Sequence, residues 1–363
     1  VVGRDENEEA WMQPVQVKSR QDRLLGAIQL STMEGVEIGP LASPIVTRDA
    51  GRILYADHAT TEMLRRKYEG HGWDTATIVD VDLVLSSQTL SGALGDRRVD
   101  FVLASHVIEH VPDPVGWLGE LRQALRPGGI ISLAIPDKRF CFDAKRPEST
   151  PGELVDAFLS RRTAPTVKQV FDFWAYYCQV DTQAMWNCAI DAESLPCSGT
   201  LQNALQKSQE AVASTSYTDV HCWVFTPRSF LEAAATLAEL GMFPFQLADF
   251  SSTPPGDLEF FVSLRCVEGD ESEQEQALRV QSLRAAALEA ASAPGPSRPP
   301  PPEPPAPPEP PAPPEPPAPP EPPAATPPEW AEATLRLGRP LYRTLAQAWP
   351  GVRTLRERLR PWL

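Results

Sequence analysis

Cysteine is scarce in this 363-residue chain, and none of the six (Cys141, Cys178, Cys188, Cys197, Cys222, Cys266) falls in a C-x-x-C pair or a regular spacing. That excludes a zinc ribbon or a disulfide framework and makes a reduced, cytoplasmic chain the simplest expectation. Basic residues are also short, 33 Lys and Arg against 48 Asp and Glu, for a formal net charge of −15. Phosphate contacts need a basic face, so no nucleic-acid partner is expected. No apolar run approaches the length that crosses a bilayer, and the acidic opening Arg4-Asp5-Glu6-Asn7-Glu8-Glu9 is unlike a secretory signal. The chain opens on Val1 rather than Met, which leaves a fragment or an alternative start open. No G-x-G-x-x-G follows the first predicted strand, which argues against a nicotinamide-dependent oxidoreductase.

Proline is in excess, with 40 residues in the chain, most of them in 294–328, where Pro-Pro-Glu-Pro-Pro-Ala repeats. Such a tract buries no core and is predicted to be an extended polyproline II spacer, roughly 100 Å long at about 3.1 Å per residue. The folded part is therefore smaller than the length suggests. Residues 1–33 read as a lead-in, 268–293 as a solvated helix rich in Glu, Gln, Ala and Arg, and 329–363 as a basic amphipathic tail. That tail suits a peripheral membrane contact or a protein partner.

The most informative stretch is Val99 to Asp137. An apolar strand at 99–104 leads to the polar turn Ser105 to Val111. Apolar positions Val115, Leu118, Leu121 and Leu125 follow at helical spacing, started by Asp113-Pro114 and stopped by Pro127-Gly128-Gly129, before a second apolar run at Ile130 to Ile135. This is a strand–helix–strand unit of a parallel sheet, with a right-handed crossover. Upstream, Gly35 to Gly39, Ile53 to Asp57 and Thr77 to Asp82 read as three further strands. Downstream, Thr226-Pro227 opens a helix, and Phe243 to Phe250 and Leu258 to Cys266 read as a closing hairpin.

The combination of Ile108-Glu109-His110-Val111 with Leu125-Arg126-Pro127-Gly128-Gly129, at this spacing, resembles the middle of class I S-adenosylmethionine-dependent methyltransferases. The run H-x-W-x-F-T-P at 221–227, followed by G-D-L-E-F-F-V at 256–262, is similar to a bacterial group often beside or fused to glycosyltransferases. The resemblance covers about 34–267. It implies an α/β, Rossmann-like fold: a seven-stranded, mostly parallel sheet with an antiparallel last strand and a helical substrate or lid insertion at 138–218, after the fifth strand. It also implies S-adenosyl-L-methionine as cofactor, bound by Glu37, Gly39, Asp57, His58, Ser86, Ser87, Ser105 and His106. Asp57 ends the second strand, where a carboxylate accepts ribose hydroxyls or caps the following helix. The later glycines of the family's first loop are replaced by Pro40-Leu41-Ala42-Ser43-Pro44, and serines stand where many relatives carry an acid for adenine.

The expected reaction is O-methylation of a small-molecule or glycan hydroxyl, and a glycosyltransferase association is an expectation of the same resemblance. The alternative is an inactive methyltransferase-like scaffold tethered through the proline linker and tail. Base candidates are His106, His110 and His221, because imidazole titrates near working pH. Substrate contacts are expected from Lys138, Arg139, Trp174, Tyr176 and Trp223. No metal is expected, the alternative being His106, Glu109 and His110, whose H-x-x-E-H pattern offers nitrogen and oxygen ligands. The same letters occur in a zinc-peptidase helix, a context that the strand before His106 and Pro112 after it break.

Overall fold

The computed structural model describes residues 18–292, apart from 71, 73, 188, 189, 215, 216 and 270. The proline-rich linker and the basic tail lie outside the described residues, as do residues 1–17. Among the described residues the strands are β1 (Glu34–Ile38), β2 (Arg52–Asp57), β3 (Leu83–Val84), β4 (Val99–Ser105), β5 (Leu125–Pro136), β6 (Phe245–Ser251) and β7 (Glu259–Cys266). They form one seven-stranded sheet in the order β3-β2-β1-β4-β5-β7-β6. Strand pairs β1–β2, β1–β4, β2–β3 and β4–β5 are parallel, while β7 runs antiparallel to both β5 and β6. The expected Rossmann-like α/β fold is the observed one. Strand order reverses between β1 and β4, and in open sheets of this kind the crevice at the carboxyl end of that reversal takes the ligand.

The central unit folds as its sequence implies. The helix Pro114–Ala124 starts where the Asp113 carboxylate accepts the Gly116 N–H at 2.8 Å, and it buries Val115, Leu118, Leu121 and Ala124 against the sheet. Pro127-Gly128-Gly129 does not separate helix from strand. It lies inside β5, with Gly128 at φ +69°, and the β4–β5 register slips between Val99 and Phe101 to absorb the extra residues.

Two further expectations are corrected. The third strand is not Thr77 to Asp82: those residues turn beneath the helix Thr61–Tyr68, where Ile78 packs with Ala59 and Leu64, and pairing with β2 begins only at Leu83. The Asp82 carboxylate accepts the Tyr55 N–H at 2.8 Å, which ends the approach to the sheet. Nor is the segment after the last strand a solvated helix. Residues Glu273–Ser292 form a helix that packs on Pro227–Glu239, burying Val280, Leu283, Ala287 and Ala290. Its apolar stripe is narrow and half alanine, so average composition hides it.

Between β5 and Pro227–Glu239, the insertion supplies helices Pro151–Leu159, Val167–Tyr176, Thr182–Trp186 and Leu201–Ala213. At the other end of the domain, Arg20–Leu24 is a short helix fixed by a capping box between Ser19 and Asp22. Leu24 is fully buried with Ala134 and Phe261, which holds this helix over β5 and β7 and brings Arg20 to the carboxyl edge of the sheet.

Candidate active site

Residues expected to hold the cofactor lie along that carboxyl edge. Gly39 follows β1 with φ +70°, and a Cβ there would stand 3.3 Å from Val107 Cγ2. Only glycine takes this backbone without strain and leaves the crevice open. Asp57 ends β2 with 4% of its surface exposed, and its Oδ1 accepts the His58 N–H at 2.7 Å and lies 2.6 Å from His58 Nδ1. Ser86 and Ser87 are exposed beyond β3, and Ser105 ends β4, its hydroxyl accepting from Arg20. An open backbone at the sheet's reversal, with a buried carboxylate one strand away, fits a nucleoside-bearing cofactor.

Glu37 departs from its expected role. It is 2% exposed, and its carboxylate accepts the N–H groups of Ile45 (2.8 Å) and Val46 (3.2 Å). It therefore holds the loop after Gly39 in shape, replacing the backbone freedom of the missing glycines with a side-chain clamp. Burial pushes its pKa up to about 7 against the pull of those two amides. A carboxyl with this raised value keeps a proton in the folded chain that the unfolded chain releases above its ordinary 4.5. Glu37's contribution to stability therefore falls as pH rises from 4.5 to about 7. In urea unfolding, Glu37→Gln should gain on the parent chain by up to about 3 kcal/mol between pH 4.5 and pH 8. A difference independent of pH would sink this assignment.

On the other side of the crevice lies a cavity of about 400 Å³, lined by His106, Pro136, Phe140, Phe142, Tyr177 and His221 among others. His106 has φ 53°, unusual for a non-glycine residue, and its Nε2 lies 2.7 Å from Glu259 Oε2. Glu259, at the start of β7, is also gripped by Arg20. Burial alone would lower the His106 pKa, but the Glu259 bond and the charge of Glu109 outweigh it and leave the imidazole above its ordinary value. His221 is 5% exposed, with Nδ1 2.6 Å from Asp143 Oδ2. Arg146 donates to Asp143 at 2.8 Å and to the His221 carbonyl at 2.9 Å. Against the effect of burial, His221 and Arg146 hold the Asp143 carboxyl below its ordinary range.

His110 stands edge-on to His221, ring centroids 4.6 Å apart. Its Nδ1 is 2.9 Å from an Asp219 oxygen, close enough for an ion pair but without the direction of a hydrogen bond. The His110 contact brings the Asp219 carboxyl down to about 2. Between the three imidazoles sits Glu109, 1% exposed. The three base candidates are thus brought together. Asp143, Glu259 and Arg20 were not singled out from the sequence; only Glu259, a charge at the head of an apolar strand run, carried a signal.

The substrate candidates fare differently. Trp223 is 2% exposed and donates its indole N–H to the Val111 carbonyl at 2.7 Å, so it is core and not a substrate contact. Lys138 donates to the Ala144 carbonyl at 3.0 Å, and Arg139 is bound to the fully buried Asp137 carboxylate at 2.6 Å. Both cations are committed within the chain. Trp174 and Tyr176 lie on the insertion helix Val167–Tyr176 and do not line the cavity; the neighbouring Tyr177 does. The helix turns a different side to the site than its density of aromatics suggested.

A family model described as a methyltransferase domain matches residues 23–236. A curated relative, an uncharacterized 37.1 kDa protein in transposon TN4556 of Streptomyces fradiae, is 32% identical over 113 residues, covering 31% of this chain and 30% of the relative. An S-adenosylmethionine-dependent methyltransferase from Mesorhizobium loti is similar at 13% identity and TM-score 0.33, over 67% of this chain and 95% of that one. The CurJ carbon methyltransferase is similar at 12% identity and TM-score 0.31, over 65% and 49%. The trans-methyltransferase CalH, solved with SAH, is similar at 15% identity and TM-score 0.31, over 65% and 51%. The chain thus spans under a third of the curated relative and about half of CurJ.

Proposed function

Since this chain belongs to the S-adenosylmethionine-dependent methyltransferases, whose domain it matches over residues 23–236, we propose that it methylates a hydroxyl group of a small molecule or glycan. When bound, S-adenosylmethionine supplies a methyl group already activated on a sulfonium. Asp57 would hold the ribose hydroxyls, Ser86 and Ser87 would meet the adenine, and Gly39 and Ser105 would meet the methionine part. What remains for the protein is to align the acceptor, exclude water and remove a proton.

The observation that carries the reading is the histidine wall of the cavity. A hydroxyl oxygen must shed its proton as it forms the new bond, and His106 is placed to receive it. With Nε2 donating to Glu259, its Nδ1 is the proton-accepting atom, and Glu259 stabilises the imidazolium that results. The aromatic rings of Phe140, Phe142 and Tyr177 give the cavity apolar walls that suit the flat face of a sugar or a phenol. Support for a glycan in particular comes from the likeness of the 221–227 and 256–262 runs to glycosyltransferase-associated methyltransferases.

The test is a panel of free sugars, glycosides and phenols offered with S-adenosylmethionine to the full chain, with amines and carboxylic acids alongside, reading S-adenosylhomocysteine formed. Turnover with hydroxyl acceptors is the expected result. Turnover confined to amines or carboxylates would overturn the proposal.

A further inference from the structure

Glu109 is the least explained group in the molecule. It is 1% exposed, and neither carboxylate oxygen accepts a hydrogen bond from any of the described residues. A buried carboxylate in that condition costs the fold stability unless something else compensates it. What surrounds it is not a set of donors but a ring of imidazoles: His221 Nε2 at 4.0 Å and His106 Nδ1 at 3.5 Å from Oε1, with His110 against His221. One ligand atom each from Glu109, His110 and His221 falls within 4.8 Å of the others.

We propose that Glu109, His110 and His221 bind a divalent transition-metal ion. Nitrogen and carboxylate donors in a two-histidine, one-carboxylate set suit zinc, manganese, iron or cobalt. Around a tetrahedral ion with bonds of about 2.0–2.1 Å, ligand atoms lie about 3.4 Å apart. The observed set is therefore slightly open and closes on the ion by side-chain adjustment. The surroundings are those of ligands already oriented. Asp143 takes the Nδ1–H of His221 at 2.6 Å, fixing the tautomer with Nε2 turned to Glu109, and Arg146 fixes Asp143 in turn. A carboxylate behind a ligating histidine does the same in metal sites generally. Asp219 stands 2.9 Å from His110 Nδ1 as an ion-pair partner. His221 and His106 also line the cavity, so an ion held by His221 would sit near the residue that receives the acceptor's proton. The ion deepens the reading of that site as one for hydroxyl acceptors, because an oxygen ligand can complete its coordination.

The test needs neither acceptor nor methyl donor, so its failure leaves the proposed reaction standing and the reverse also holds. The full chain, stripped with chelator, is titrated with Zn²⁺ by calorimetry and with Co²⁺ by visible absorption. One equivalent bound at about micromolar Kd or tighter is expected. The Co²⁺ spectrum should show the bands of nitrogen and oxygen ligation without thiolate charge transfer. Glu109→Gln should weaken binding roughly 100-fold. This variant loses no hydrogen bond and keeps the shape of the side chain, so the metal-free protein should melt no lower than its parent. His110→Ala, at a half-buried position, provides a second removal. Absence of binding, thiolate bands from the cysteines, or unchanged affinity in both variants would each overturn the proposal.

Discussion

Exchanging His106 for asparagine is expected to lower kcat by roughly 10²- to 10⁴-fold, the range for loss of a positioned general base. KM for S-adenosylmethionine should move little. Asparagine is chosen over alanine because position 106 has φ 53°, a backbone that asparagine adopts more readily than most residues. The variant also keeps a polar contact for Glu259, which would otherwise be left buried without the imidazole. What disappears is the ability to take a proton. A fall in kcat with the cofactor's KM unchanged marks a group acting on the acceptor, whereas a structural role would move both together or lower the melting temperature. Glu259→Gln tests the level behind it: Glu259 is a positioning residue, and its loss should cost less than that of His106. If His106→Asn kept more than a tenth of the parent kcat, the proton would have to leave by another route.

The scaffold around this site was legible in the sequence because its signals are local. Strand, turn and helix from Val99 to Ala124 follow from an apolar run, an Asp-Pro start and helical spacing, and each of these survives in the structure. Strand β3 was misplaced because Ile78 and Val79 look like strand residues but are recruited by the helix Thr61–Tyr68 and the loop after β1, a tertiary demand that no local pattern announces. The candidate site was legible by residue type only. His106, His110 and His221 could be named, but a buried carboxylate such as Asp143 or Glu259 reads in sequence like any surface acid. Its meaning depends on a partner 78 or 153 residues away. Trp223 and Arg139 erred in the opposite sense: an indole N–H or a guanidinium looks free until the Val111 carbonyl or the Asp137 carboxylate that satisfies it comes into view.

Asp57→Ala should raise the Kd for S-adenosylmethionine at least 100-fold while leaving the fold intact. Hydrogen bonds to a charged group contribute about 1.5–3 kcal/mol each, so losing two from a ribose costs about 3–6 kcal/mol, a hundredfold or more. In the structure His58 occupies the Asp57 carboxylate through both its backbone N–H and Nδ1. That contact does not argue against ribose binding, because the His58 side chain is 62% exposed and can swing away at little cost. It does set a competition. His58→Ala should leave affinity equal or slightly improved, since the ribose no longer has to displace an imidazole, whereas Asp57→Ala removes the acceptor itself. Opposite signs at adjacent residues separate ribose recognition from the alternative in which Asp57 only caps the helix Thr61–Tyr68. A role in capping is already weakened, because Thr60 is the residue whose side chain accepts the Met63 N–H at the start of that helix. Calorimetry with S-adenosylmethionine and S-adenosylhomocysteine on both variants decides it: an Asp57→Ala Kd within threefold of the parent would remove the ribose assignment.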